Sequence, residues 1–104
     1  MHLLFSCPFA QACWIYLGVL WDLSLHFDIM ILRVRESFGS IIFREVIIMA
    51  MWSIWTHRNS IIFDGGSLSF MLWRRSFIEG MNSVILRVKP IMKDKINLWL
   101  SSLL

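Results

Sequence analysis

Phe70, Trp73, Phe77, Met81, Val84 and Val88 follow one another at steps of three, four, four, three and four. That rhythm is the signature of a helix with one apolar stripe turned inward, because residues three and four apart share a face. Arg74, Arg75, Glu79, Asn82 and Arg87 fall on the remaining faces. Pro90 then ends or kinks the helix, and Ile91 to Leu100 has the length of a short last one. Upstream, Ile31, Val34 and Phe38 recur at helical spacing between Phe27 and Phe38, with Gly39 placed to cap the C-terminus. Ser40 can cap a third helix running to about Phe63, broken by Asp64-Gly65-Gly66. The centre of that helix, Val46 to Trp55, is apolar all round, which predicts a central element surrounded by the others.

Near the start, Pro8 suits the first turn of a helix, with Ser6 or Cys7 as its N-cap. The segment Pro8 to Val19, ending near Gly18, would carry Phe9, Cys13, Tyr16, Leu17 and Leu20 along one face. Two short stretches, Ile41-Ile42-Phe43 and Ser60-Ile61-Ile62-Phe63, have strand-like composition, but alternation with a period of two is not sustained. The expected fold is therefore all-α, a small irregular bundle of four or five helices. With 104 residues and neither repeats nor a low-complexity linker, positions 1–104 form a single domain.

The longest uncharged run, Leu3 to Trp21, approaches the length of a membrane span. Ser6, Pro8, Gln11 and Gly18 interrupt it and no Lys or Arg precedes it to set an orientation, so a membrane role is the weaker reading. Ala10-Gln11-Ala12 imitates a signal-peptidase site without a basic segment ahead of it. An intracellular location therefore fits better than secretion, and two cysteines are too few for a disulfide framework.

Composition sharpens this picture in one respect. Hydrophobic residues make up 58% of the chain and charged residues only 16%, against roughly 25% charged in ordinary soluble domains. A domain of this size hides only about two-thirds of its unfolded surface, so apolar surface should remain exposed, for a protein partner or for self-association. The net charge of +3 comes from ten Lys and Arg scattered over four segments, which make no concentrated stripe for nucleic acid or lipid.

Candidate chemistry is sparse. His2 and Cys7 have the H-x4-C spacing of the second half of a zinc knuckle, in which imidazole and thiolate reach one tetrahedral ion. Structural zinc takes four ligands, and Cys13, His26 and His57 have no ligand-like spacing to the first two. A thiol nucleophile would need Cys7 or Cys13 beside His26 or His57, and nothing local arranges that. Gly65-Gly66 is a turn rather than a phosphate loop. Glu36, Glu45, Glu79, Asp22, Asp28, Asp64 and Asp94 form no close cluster suited to magnesium. No set of catalytic residues is complete, so no enzymatic activity is expected. Trp52, Trp55, His57 and Arg58 mix aromatics with a cation, as single-strand binders do. Trp52 and Trp55, continuous with Val46 and Met49, are nevertheless expected in the core.

Two blocks carry a family resemblance. His2-Leu3-Leu4-Phe5-Ser6-Cys7-Pro8, followed by Ala10-x3-Trp14, resembles the latter half of the reverse-transcriptase zinc-binding region near the C-terminus of plant LINE-type (non-LTR) retrotransposon polyproteins. Trp52-x2-Trp55-x2-Arg58-Asn59-x2-Ile62-Phe63-x-Gly65 resembles the helix that follows it there, and Ser69-x3-Trp73 and Lys89-Pro90 also look similar. The resemblance implies that positions 1–20 are the latter half of a zinc motif with a first helix, and positions 27–104 the remaining helices. It also implies that His2 and Cys7 match two metal ligands, that the C-x2-C half is missing, and that zinc binds only if ligands come from elsewhere. It implies nucleic-acid contact in the parent polyprotein and no catalysis in this region. The expectation is a truncated, non-catalytic helical fragment without independent activity; the alternative is a small membrane-associated helical protein using the run 3–21.

Overall fold

The computed structural model describes residues 2–5, 7–64 and 69–103, and their side chains except at positions 2, 3 and 60–64. The described residues form a single turn, α1 (His2–Phe5), and five longer helices: α2 (Pro8–Tyr16), α3 (Phe27–Phe38), α4 (Phe43–Asp64), α5 (Phe70–Ile85) and α6 (Pro90–Leu103). Among the described residues there is no strand. The all-α architecture thus follows the sequence rhythm, and Ile41 to Phe43 lead into a helix instead of a sheet.

Local chemistry sets the helix ends. Pro8 occupies the first turn of α2 behind Cys7, whose extended backbone makes it the N-cap. Gly18 (φ 76°) and Gly39 (φ 64°) adopt the left-handed conformation that glycine accepts without penalty. At Gly39 this closes α3 as expected, its N–H donating to the Arg35 carbonyl. Ser69 caps α5, its hydroxyl accepting the Leu72 N–H at 3.3 Å. Ser40 does not begin α4 directly. Its hydroxyl accepts from the Ile42 N–H and its carbonyl from the Phe43 N–H, making a turn from which the helix starts at Phe43. The chain turns over residues 86–89 before Pro90 starts a separate helix, so the proline begins α6 and Val88 lies beyond the end of α5. The expected break at Gly65-Gly66 lies outside the described residues.

The core is built on the α4–α5 pair. Trp73, Phe77 and Met81 on α5 and Val46, Ala50 and Ile54 on α4 are fully buried. Gly80 allows close approach, because a Cβ there would collide with the Met49 side chain of α4. The Trp73 indole N–H donates to Ser53 Oγ at 2.9 Å, and that hydroxyl donates to the Ala50 carbonyl. Phe77 meets Trp99 of α6 edge-on, with ring centres 6.0 Å apart. Tyr16 closes the other side of α5. Its hydroxyl accepts from Arg74 Nε and donates to the Leu103 carbonyl, while its ring stands edge-on to Phe70 and Trp73.

At three points the structure departs from the sequence expectation. Leu20 is exposed because α2 stops at Tyr16 and Gly18 redirects the chain before Leu20 can extend the stripe. In α3, Met30 joins Val34 in the core, whereas Ile31 is only partly buried. Most consequentially, α4 is not surrounded. Ile48, Trp52 and Trp55 are 56%, 63% and 51% exposed, so the two tryptophans are not core residues. About a hundred residues supply too few helices to cover every face of a 22-residue central helix, and its second face stays open. Among the described residues no helix is long and apolar enough to cross a membrane. The run Leu3 to Trp21 is divided between α1, α2 and the turn at Gly18.

Candidate functional site: the Cys7 corner and its α4 neighbours

Two apolar anchors hold α1 against the bundle. Phe5 is buried and meets Trp21 and Phe27 edge-on, with ring centres 5.0 and 6.1 Å away. Trp14 stacks beside it, and the Trp14 indole N–H donates to the Leu4 carbonyl at 2.6 Å. Ala10 and Trp14, four apart on α2, are both buried. The Ala-x3-Trp spacing therefore has a packing role: the small residue lets α2 approach, and the large one pins the turn that carries His2 and Leu4.

Cys7 stands at the joint between α1 and α2, half-buried, and its Sγ accepts a hydrogen bond from Arg58 Nη1 at 2.7 Å. Two residues further on, the Phe9 ring stacks on the imidazole of His57, the neighbour of Arg58, with ring centres 5.3 Å apart. His57 Nε2 accepts the Ser69 N–H at 3.0 Å, which ties the start of α5 to α4. Burial holds the His57 imidazole below its ordinary pKa, in keeping with a nitrogen that must stay unprotonated to accept. Cys13 is fully buried, and desolvation, with the nearby Cys7 adding to it, pushes its thiol up to about 12. It is a core residue with little thiolate character. Both cysteines are free thiols.

His2 belongs to α1 and its side chain lies outside the described residues. His26 sits at the exposed N-cap of α3 without a capping hydrogen bond from its side chain. Asp22 accepts from the Ser24 hydroxyl and N–H, which hold its carboxyl below the usual range and make it a turn former. Among the described residues no three His, Cys, Asp or Glu side chains gather as metal ligands. The donors do not fit a closed zinc site on their own: Cys7 and His2 supply two of the four that structural zinc takes.

No known family model, curated protein or solved structure matches the chain. The geometry itself holds the information. Sequence spacing did not foresee that Cys7 and Arg58, 51 positions apart, meet, nor that Phe9 covers His57. For the Cys7–Arg58 pair the available signal was that each residue comes from one of the two segments noted for their resemblance to the LINE-type region.

Proposed function

We propose that the chain is a non-catalytic helical module of the kind found at the zinc-binding C-terminus of plant LINE-type retrotransposon polyproteins, without independent enzymatic activity. The Cys7–Arg58 hydrogen bond carries this reading. Cys7 is the last ligand position of the first resembling block, and Arg58 belongs to the Arg-Asn pair of the second. Their contact makes the two blocks one structural unit, which gives a physical reason for their order and spacing. In that unit α4 serves as the wall on which the metal-binding turn rests, and Arg58 presents a charged donor to the cysteine sulfur, a natural supporting contact for a metal-ligating thiolate. Nucleic-acid contact belongs, on this reading, to the parent polyprotein.

Zinc titration under dialysis tests the proposal on two chains, the 104-residue protein and a version carrying an added N-terminal Cys-x2-Cys segment. The expected result is no stoichiometric zinc on the first, and one zinc per chain on the second, lost in Cys7→Ser. One tightly held zinc on the 104-residue chain, or none on the extended one, would defeat the reading.

A further inference from the structure

The open face of α4 is apolar. At about 100° per residue, Arg44, Trp55, Ile48 and Trp52 fall within roughly a quarter-turn of the helix circumference, directly opposite the buried Val46, Ala50 and Ile54. Ile48, Trp52 and Trp55 are each more than half exposed. The same face continues past the start of α4 into a groove of about 440 Å³ between α3 and α4, lined by Leu32, Ile41, Arg44 and Ile48 among others. Leu32 and Ile41 are 54% and 55% exposed.

We infer that this face is a homodimer interface, in which α4 of one copy packs antiparallel against α4 of a second. Three observations select a second copy as the occupant. The first is area. Given about 250 Å² for a whole tryptophan, the exposed parts of Trp52, Trp55, Ile48, Ile41 and Leu32 come to at most about 550 Å² per copy, or about 1,100 Å² per pair, which clears the roughly 1,000 Å² of a biological interface and lies in the range of weak, reversible ones.

The second observation is self-complementarity. A two-fold axis between Ile48 and Trp52 lays each Ile48 on the other copy's Trp52, as an isologous contact requires. The third is charge. The same register brings the Arg44 guanidinium to the other copy's Trp55 ring, where a cation is attracted by the aromatic face. It also keeps the two Arg44 residues about 18 Å apart along the pair, at 1.5 Å of rise per residue. A parallel pairing would put them side by side. Single-stranded nucleic acid stacked on Trp52 and Trp55 would meet Arg44 on the stripe, Arg35 in the adjoining groove and Arg87 in the hollow it shares with Trp52, three cations on α4, on α3 and in the turn after α5, with Glu79 in the same hollow as Arg87, whereas such binders track the backbone with a continuous basic groove.

Sedimentation of the full chain from about 1 to 200 μM tests the inference, since interfaces of this size commonly dissociate in the micromolar range. The mass should rise from 12.3 kDa towards twice that value. Trp52→Lys and Arg44→Glu should each weaken association at least tenfold with unchanged helical circular dichroism and monomer urea midpoint. Arg44→Lys should retain most of it. Leu98→Lys, at an equally exposed apolar position on α6, should leave association intact, as should Cys7→Ser, so failure here is separate from failure of the zinc proposal. A monomer at every concentration overturns the inference, including one that binds labelled oligo-dT through Trp52. Equal sensitivity to Leu98→Lys also overturns it, by showing indiscriminate apolar association.

Discussion

Replacing Ser53 with alanine tests the α4–α5 core at its only buried polar residue among those described. Ser53 is 3% exposed and Trp73 is 0% exposed, so water cannot replace the Ser53 hydroxyl as acceptor of the Trp73 indole N–H. An orphaned buried donor costs about 1–3 kcal/mol. Alanine recovers about 0.5 kcal/mol through its better helix propensity. The Ala50 carbonyl retains its place in the helix ladder, so losing the Ser53 donation there adds little. The net loss should be about 1–2 kcal/mol out of the 5–15 kcal/mol typical of a domain. That corresponds to a fall in Tm of roughly 4–8 °C per kcal/mol.

Trp73→Phe removes the donor and part of a buried ring, for about 1–3 kcal/mol. Once the indole N–H is gone, Ser53→Ala no longer orphans anything. The double variant should therefore be less destabilised than the sum of the two by about 1 kcal/mol. Urea unfolding followed by far-UV circular dichroism measures all four proteins, with the m-value unchanged if the denatured state is the same. Strict additivity, or a Ser53→Ala protein as stable as its parent, would refute the placement of Trp73 against Ser53.

Two further predictions concern the other tryptophans and the titrating groups. Trp14→Phe should loosen α1 because its indole N–H holds the Leu4 carbonyl, whereas Trp21→Phe should cost only packing against Phe5 and Trp14, because the buried Trp21 N–H has no hydrogen-bond partner among the described residues to lose; the rate of Cys7 labelling at the α1–α2 joint reads the difference. Above the ordinary thiol pKa of 9.0 the unfolded chain gives up the Cys13 proton while the folded chain keeps it to about 12, so stability should fall as pH rises across that window, less steeply in Cys13→Ala. His57 acts with the opposite sign. Its depressed pKa means the unfolded state binds more protons as pH falls below about 6.5, so stability present above that pH is lost on acidification, and His57→Gln should lessen the loss.

The helical architecture was legible because its signals are local. The stripe through Trp73, Phe77 and Met81, the proline at the start of α2 and the glycine closing α3 depend on near neighbours and are in place as read. What failed was the reading of Val46 to Trp55. An all-round apolar helix says that burial is available to every face, but which faces are covered depends on how many other helices the chain can bring, and that is not a local property. Here the buried side goes to Ala50 and Ile54 while Trp52 and Trp55 face outward. The candidate site was half legible for a related reason. The spacing of His2 and Cys7 is local, but the Cys7–Arg58 contact joins α4 to the α1–α2 joint across 51 positions and exists only in the folded chain.

Thiol labelling of the native protein, with and without one equivalent of zinc, tests most directly the claim that Cys7 is a surface half-site resting on α4 while Cys13 is core. One thiol, Cys7, should react promptly at pH 8, and Cys13 should react only at the rate of unfolding, because it is fully buried and its thiol is pushed up to about 12. Zinc should leave both rates unchanged, since two ligands do not close a site. Prompt reaction of both thiols would contradict the fold, and stoichiometric protection of Cys7 by zinc would contradict the half-site.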